Sequence, residues 1–158
     1  MSQDASTPDS RTQLDEAMRS FMARVVLFQD AVARSVGLNS TDLQTVGLLM
    51  SEGPASPGDL AERIGITQGG AVTSLIDRLE KAGYVTRRRD EQDRRRVLVV
   101  ADEQKVIADV GHIYGRVADR WNTYLSTLTD DEIAVGARIL AAAAEVNREE
   151  IERLRRER

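Results

Sequence analysis

The sequence predicts a mainly α-helical fold in which long helices at both ends flank three short helices and a two-stranded β hairpin. Three observations support this fold class. Apolar residues recur every three or four positions near both ends of the 158-residue chain, which indicates amphipathic helices. Glycines and prolines divide residues 36–66 into short segments. Two runs rich in β-branched residues, 84–88 and 96–100, flank a polar loop and indicate a hairpin.

The composition excludes several classes of protein. Hydrophobic residues make up 41% and charged residues 30%, which is ordinary for a globular protein of this length. No stretch approaches 18 apolar residues and the first ten contain no apolar run, so we expect a cytoplasmic protein with no membrane span and no secretory signal. The absence of cysteine excludes disulfides and thiol redox sensing. A single histidine argues against a multi-histidine metal centre, and we predict neither a metal site nor a cofactor.

Positive charge is concentrated in one segment. Residues 78–96 hold eight cations and four acids, a local balance of +4, so the rest of the chain sums to −8 within the net charge of −4. Arginine outnumbers lysine by 20 to 2, which favours planar, bidentate contacts. A compact positive site on an acidic body is typical of a surface that binds phosphate groups.

The first predicted element is a long helix over residues 12–35, preceded by a disordered tail over 1–10 and ended by Gly37. Its apolar residues follow heptad-like steps of four and three: Leu14, Met18, Phe21, Val25, Phe28 and Val32. About 24 residues at 1.5 Å each give a length of about 36 Å, more than the width of a small domain. We therefore expect this helix to pack partly on another subunit.

Two short helices follow. The first is capped by Asn39 or Ser40, reaches Leu49 and is broken over residues 51–54, which include a glycine and a proline. The second, over 57–64, has a serine as its cap, a proline at its first position and a glycine after its end.

The next predicted helix spans residues 68–82, with Thr67 as its cap, and forms a helix-turn-helix arrangement with the helix before it. Two glycines in its first turn cost on the order of 1 kcal/mol each relative to alanine, but they let a phosphate or a thymine methyl approach the backbone. The alternative is a solvated helix whose glycines only ease packing. The residues expected to contact DNA from this helix are Gln68, Gly69, Gly70, Ala71, Thr73, Ser74 and Arg78.

The predicted hairpin has strands at 84–88 and 96–100 and carries six arginines within residues 87–96. A hairpin beside a recognition helix is a wing, and its tip can enter a narrow minor groove, which attracts guanidinium groups. Asp93 is expected to hold the side chain of one neighbouring arginine through a charge-assisted bond. The alternative is a loop of mutually neutralising charges. The wing residues expected to contact DNA are Arg88, Asp93, Arg94, Arg95 and Arg96, with Arg95 or Arg96 as the partner of Asp93.

Two further helices are predicted at the end of the chain. One spans residues 103–125 with Asp102 as its cap, and the other spans 130–156 with Thr129 as its cap. We interpret His112, in the first of them, as a surface histidine. The alternative is a pH or metal sensor, for which one imidazole with one carboxylate supplies too few ligands.

Residues 37–102 resemble the winged helix-turn-helix core of the MarR (multiple antibiotic resistance regulator) family. The resemblance rests on LAERIGITQGGAVTSLIDRLEKAGYV at residues 60–85 and on the wing DEQDRRRVLVV, in which Asp93 and Arg95 match the family's Asp-x-Arg pattern. Flanking helices of the expected lengths extend the resemblance over about 11–156.

This resemblance implies a homodimer in which residues 11–38 and 102–158 form a helical dimerisation region and 39–101 form the DNA-binding domain. It also implies a bacterial or archaeal transcription factor, usually a repressor that is released by a small molecule. Arg95 takes the position of the family's minor-groove arginine. The positions that the family uses for recognition-helix contacts are occupied by Gly69, Gly70, Ala71, Thr73, Ser74 and Arg78.

The resemblance also places a pocket for an aromatic or anionic effector between the dimerisation helices and the DNA-binding domain. Phe21, Arg24 and Phe28 would supply an aromatic wall and an anion partner, and Met50 is a further candidate. The alternative is that both phenylalanines are plain core residues of the heptad seam.

We interpret the chain as a dimeric, sequence-specific DNA-binding regulator whose partners are double-stranded DNA and a second copy of itself. The alternative is a helical dimeric protein-interaction module with a degenerate winged domain. An enzyme is not predicted, because the sequence contains no nucleophile–base–orienter set, no paired carboxylate site and no phosphate-cradling loop of recognised spacing.

Overall fold

The computed structural model describes residues 9–66 and 69–157; the predicted tail residues 1–8 and the predicted cap Thr67 lie outside these ranges. The long N-terminal helix begins at Ser10, two residues before its predicted start and inside the segment expected to be a tail. The elements in chain order are α1 (Ser10–Ser35), α2 (Ser40–Glu52), α3 (Pro57–Ile64), α4 (Gly70–Lys81), β1 (Val85–Arg89), β2 (Val97–Ala101), α5 (Glu103–Val106), a π-helical turn (Ile107–Gly111), α6 (His112–Leu125) and α7 (Asp130–Arg156).

The caps of α2 and α3 are as predicted, but the end of α2 is not. The side chain of Asn39 accepts a bond from the backbone N–H of Asp42, and Ser56 caps α3 in the same way. The predicted end at Leu49 is three residues too early, because α2 continues to Glu52, but the break does fall within the predicted segment 51–54, at Gly53. Its last turn is closed by a bond of 3.1 Å from the N–H of Gly53 to the carbonyl of Leu49, and the chain leaves the helix only there.

The start of α4 differs from the prediction. The helix begins at Gly70, not at residue 68, and Gly69 rather than Thr67 occupies the N-cap position. Gly69 has a φ of 109° and a ψ of −138°, which only glycine adopts without strain, so helical geometry cannot extend back through it. The tight turn between α3 and α4 therefore depends on a glycine.

The hairpin lies one residue further along the chain than predicted. β1 and β2 pair antiparallel, with Val85 opposite Ala101 and Arg89 opposite Val97. Ala55 exchanges two backbone bonds with Val99, of 3.2 and 2.8 Å, and so fastens the segment between α2 and α3 to the outer edge of β2. The base of the wing is thereby joined to the helical unit along its β2 edge.

The hydrophobic core lies between the short helices and the base of the wing. Its fully covered side chains include Leu60 of α3, Ile76 and Leu79 of α4, and Val85 and Val99 of the two strands. From α1 only Val32 and Ala33 are buried and Phe28 is partly covered, whereas the seam residues Leu14, Phe21 and Val25 remain exposed. In residues 9–66 and 69–157, no helix is both long and apolar enough to cross a bilayer.

The C-terminal helices begin at their predicted caps. Asp102 accepts the N–H of Lys105, and Thr129 forms a capping box with Glu132, whose carboxylate accepts the N–H of Thr129 at 2.8 Å. The helix predicted over 103–125 is interrupted by the π turn, which joins α5 to α6 without a break in the chain. Neither α6 nor α7 contributes a buried residue among those described, although both carry large apolar side chains.

The capping box at α7 gives a test of this fold. Thr129→Ala removes the hydroxyl that accepts the N–H of Glu132, so we expect the free energy of unfolding to fall by about 1 kcal/mol. Urea denaturation followed by circular dichroism at one protein concentration measures it. The matched control is Thr123→Ala, whose exposed hydroxyl donates only to a carbonyl of its own helix, and we expect its effect to stay within about 0.5 kcal/mol. Equal losses in the two variants would contradict the capping assignment.

Candidate nucleic-acid interface

The helix α4 has one buried face and one exposed face. Its buried residues are Val72, Leu75, Ile76 and Leu79, at the spacing predicted for an amphipathic helix. The exposed face carries Ala71, Thr73 and Ser74, three of the residues predicted to contact DNA. Gln68, a fourth, lies outside the described residues. The packing of α4 therefore presents small and hydroxyl side chains outward, where a groove of DNA could receive them.

The exposed tip of α4 is formed by two glycines. Cβ atoms built on Gly69 and Gly70 would meet no heavy atom of the chain within 4 Å. The positive φ at position 69 explains why a glycine is found there. At position 70 no contact in the described part of the chain requires a glycine. The first backbone N–H groups of a helix lack partners within it and favour anions. Bare backbone at this tip is suited to close approach by a phosphate.

The tip of the wing is ordered by acidic side chains. The carboxylate of Asp90 accepts the N–H of Gln92 at 2.9 Å, and that of Asp93 accepts the N–H of Arg95 at 3.0 Å. The carbonyl of Asp93 also accepts the N–H of Arg96 at 2.8 Å. The expected bond from Asp93 to a guanidinium is therefore wrong in detail. Asp93 shapes the backbone of the turn, and the arginine side chains are left to project from it.

Two wing arginines are tied to neighbouring helices. Arg87 bonds Asp77 at 2.5 Å and also Glu80, both on α4, and the bond to Asp77 raises the pKa of its guanidinium. Arg96, predicted to contact DNA, lies 3.2 Å from Asp59 at the start of α3. These ion pairs join both strands of the wing to the helix-turn-helix.

Four other wing arginines remain available. Arg88, Arg89, Arg94 and Arg95 are exposed, and in the part of the chain that the structure describes they form no ion pair within 4 Å. Because exposed guanidinium groups without carboxylate partners are the ones that can neutralise phosphates, the available positive charge lies at and beside the tip of the wing.

Arg78 of α4 is held by a carboxylate that sequence reasoning missed. Its Nε and Nη2 donate to the two oxygens of Asp42, at 2.9 and 2.6 Å, and this bond raises the pKa of Arg78. Asp42 is only 1% exposed. The position of Asp42 in α2 could have revealed this role. Residues 42, 46 and 49 lie on one face of the helix, and Val46 and Leu49 make that face apolar. A charge on an apolar stripe indicates a buried partner.

A second unpredicted contact joins the wing to the start of the C-terminal helices. Tyr84 lies just before β1 and is buried. Its hydroxyl donates a hydrogen bond of 2.5 Å to the carboxylate of Asp109 in the π turn. Lys105 reaches the same carboxylate at 2.8 Å and lies over the tyrosine ring. Burial, followed by the bond to Asp109, raises the pKa of Tyr84, whereas the bonds from Lys105 and Tyr84 lower the pKa of Asp109.

Comparison with known proteins agrees with this geometry. The sequence pattern of the MarR family matches residues 36–96. Over 156 residues the chain is 36% identical to the uncharacterized HTH-type transcriptional regulator YcgE of Bacillus subtilis, covering 95% of this chain and 99% of YcgE. The chain belongs to the MarR family. It is thus a member of a family of transcriptional regulators, and not an enzyme.

Solved structures of MarR-like proteins have the same fold. The transcriptional regulator Tm0710 of Thermotoga maritima matches with a TM-score of 0.61 and 25% identity, over 86% of this chain and 92% of Tm0710. FabT of Streptococcus pneumoniae, solved in complex with DNA, matches with a TM-score of 0.67 and 20% identity, over 89% of this chain and 99% of FabT. The helix order and the two-stranded wing predicted from the sequence are confirmed as a MarR fold.

This MarR chain has a groove of about 500 Å³ between α1, α2 and the π turn. Of the four predicted ligand residues only Met50 lines it, while Phe28 packs edge-on against Tyr114 of its wall. Phe21 is 55% exposed and Arg24 is also exposed, so the expected aromatic wall and anion partner are not assembled within this chain. The groove is lined by Gln29, Leu43, Gln44, Val46, Gly47, Met50, Val106, Ile107, Val110, Gly111 and Tyr114, none of which is charged.

His112 is exposed at the start of α6, as expected of a surface histidine. The neighbouring carboxylate, Asp109, is engaged by Tyr84 and Lys105. Within residues 9–66 and 69–157, no three metal-binding side chains come together.

The bond between Tyr84 and Asp109 makes the stability depend on pH in a defined way. Asp109 has a lowered pKa, so its stabilising effect is present above its ordinary pKa of about 3.9 and is lost as the pH falls through the folded-state value. We expect Tyr84→Phe to lower the free energy of unfolding by about 1 kcal/mol at pH 7. That difference should shrink below about pH 4. Urea denaturation of both proteins at pH 7 and pH 3.5 measures it, and a constant difference would contradict this role of Asp109.

Proposed function

We propose that this MarR-family protein is a homodimeric, sequence-specific DNA-binding repressor. The observation that carries the proposal is the outward face of α4 beside four wing arginines that lack carboxylate partners. Small and hydroxyl side chains on α4 suit base edges and phosphates in the major groove, and Arg94 and Arg95 at the wing tip suit the adjacent minor groove. The DNA complex known for FabT, which has the same fold, supports this use of the surface.

A twofold dimer would present two such surfaces to successive turns of one duplex, roughly 34 Å apart. Its operator would then be pseudo-palindromic, and repression would follow where the operator overlaps a promoter. Such a regulator acts in the cytoplasm of a prokaryote, where the chromosomal DNA lies.

The uncovered apolar side chains of the terminal helices support the dimer. Leu27 of α1, Trp121 of α6 and Val146 of α7 are 67%, 52% and 64% exposed, respectively. Apolar side chains that recur along three helices without cover mark a surface for association. We place the dimer interface on α1, α6 and α7, with Trp121 and its neighbour Tyr124 as aromatic anchors.

The uncharged groove supports release by an apolar effector. Tyr114 donates its hydroxyl to the side-chain carbonyl of Gln29 at 2.9 Å, which leaves Gln44 and the amide NH2 of Gln29 to orient a ligand by hydrogen bonds. Most of the other lining residues offer apolar contact. Of the two expected effector classes, the groove favours an aromatic molecule over an anion, because no cation lines it. A ligand that binds one spacing of the two DNA-binding surfaces better than another would shift the dimer away from the DNA-binding form.

Removal of one unpaired arginine tests the DNA surface. We expect Arg95→Ala to weaken binding to duplex DNA and to reduce the slope of log K against log salt concentration by about 0.9, because one phosphate or groove contact is lost. Fluorescence anisotropy with a labelled duplex at five salt concentrations measures both. Arg148→Ala is the control, because that arginine pairs with Glu145 and Glu152 on α7 and should change neither quantity.

An unchanged slope in Arg95→Ala would remove the wing from the interface. If the wild-type chain bound no duplex at any salt concentration, the winged domain would be degenerate, and the protein would be a helical dimeric interaction module instead.

The proposed dimer interface is tested by placing a charge within it. We expect sedimentation to give twice the mass of one chain for the wild type and a shift toward monomer for Leu27→Glu, because the carboxylate would be buried against apolar side chains. Arg19→Glu, an exposed change on the same helix, is the control for added negative charge. A monomeric wild type would contradict the proposal.

A further inference from the structure

We propose that Asp42 and Arg78 form a positioning pair, in which a buried carboxylate of α2 sets the orientation of the recognition helix α4 and Arg78 itself does not contact DNA. This inference rests on the proposed function, because it assumes that α4 lies in a DNA groove. It revises the assignment of Arg78, which both the sequence pattern and the family resemblance placed among the DNA contacts.

The geometry of the pair controls direction as well as distance. Arg78 Nε donates to one oxygen of Asp42 at 2.9 Å and Nη2 donates to the other at 2.6 Å. Two parallel bonds between planar groups fix the rotation of each group about the line that joins them. Asp42 is itself held, because its N–H donates to the Asn39 side chain at 2.8 Å at the capped start of α2. The position of Asp42 is therefore held by α2 independently of its bonds to Arg78.

Burial makes the pair obligatory for this arrangement. The side chain of Asp42 is 2% exposed, whereas that of Arg78 is 49% exposed. A carboxylate taken out of water and left without its partner is strongly disfavoured, so α4 cannot turn away from α2 without uncovering an uncompensated charge. The apolar contacts of α4, through residues such as Leu75 and Leu79, set which face of the helix is buried, but they are non-directional and tolerate small changes in its tilt. The ion pair supplies the directional constraint that they lack.

The same geometry explains why Arg78 is a poor candidate for a phosphate contact. A guanidinium that binds a carboxylate with two of its nitrogens is already neutralised, and releasing it would leave Asp42 buried and unpaired. The exposed arginines Arg94 and Arg95 at the wing tip have no such carboxylate partner among the described residues. Loss of Arg78 should therefore impair discrimination between DNA sequences, while the count of neutralised phosphates stays the same.

The experiment compares the full-length wild type with Arg78→Gln, Asp42→Asn and the double variant. Two duplexes serve as probes: one selected by the wild type from a random pool, and one of scrambled sequence. Discrimination is measured as the dissociation constant for the scrambled duplex divided by that for the selected duplex. For each single variant we expect this ratio to fall at least tenfold, and the salt slope on the scrambled duplex to stay unchanged. In the double variant a neutral amide pair replaces the ion pair, and we expect the ratio to recover to within about threefold of wild type.

Three outcomes would overturn the inference. The first is a salt slope reduced by about 0.9 in Arg78→Gln, which would make Arg78 a phosphate contact. The second is tighter DNA binding by Asp42→Asn, which would show that Asp42 withholds Arg78 from DNA. The third is a double variant in which the loss of discrimination equals the losses of the two single variants combined. If Arg78→Gln does not fold, Arg78→Lys replaces it: the charge remains but the bidentate fork is lost, so discrimination should still fall with an unchanged slope.

The design separates this inference from the proposed function. If the wild type selects no duplex from the pool, the proposed function fails. If the wild type selects a duplex and Arg95→Ala lowers the salt slope, while Arg78→Gln lowers it equally, the proposed function stands and only the positioning role fails.

Discussion

The burial of one face of α4 is the interaction on which the arrangement of the DNA-binding surface depends. Leu75, Ile76 and Leu79 enter a core that also contains Val85 and Val99 of the wing. Burying each such side chain contributes roughly 1.5–3 kcal/mol. Because the helix and the hairpin share this core, the exposed face of α4 and the arginines of the wing are held on one side of the molecule.

Charges then divide into two groups with different roles. Arg78, Arg87 and Arg96 bind carboxylates on neighbouring elements, and so link α2 to α4, α4 to β1, and α3 to the end of the wing loop just before β2. Surface pairs such as the last two add little stability, but they limit the directions in which the wing can lean. Asp90 and Asp93 in the basic segment are likewise part of its architecture, because their carboxylates order the backbone of the wing tip.

Much of this arrangement could be predicted because its signals are local. The caps Asn39, Ser56, Asp102 and Thr129 and the apolar spacing of α4 each depend on residues within one or two turns. The start of α4 was predicted wrongly because Thr67 is a residue type that favours helix caps. The positive φ of Gly69 prevents the helix from extending toward the N-terminus beyond Gly70. Asp42–Arg78 and Tyr84–Asp109 join residues 36 and 25 positions apart, and no local pattern states which partners will meet.

The π turn connects one of these distant contacts with the groove between α1 and α2. Ile107, Val110 and Gly111 line the groove, while Asp109 of the same turn holds the tyrosine at the base of the wing. One extra residue per turn weakens the regular hydrogen bonding of a helix, and such turns are frequent at functional sites. A shift of this turn caused by a molecule in the groove would therefore reach the wing through a single hydrogen bond. The π turn is therefore an element that lines the groove and also contacts the base of the wing.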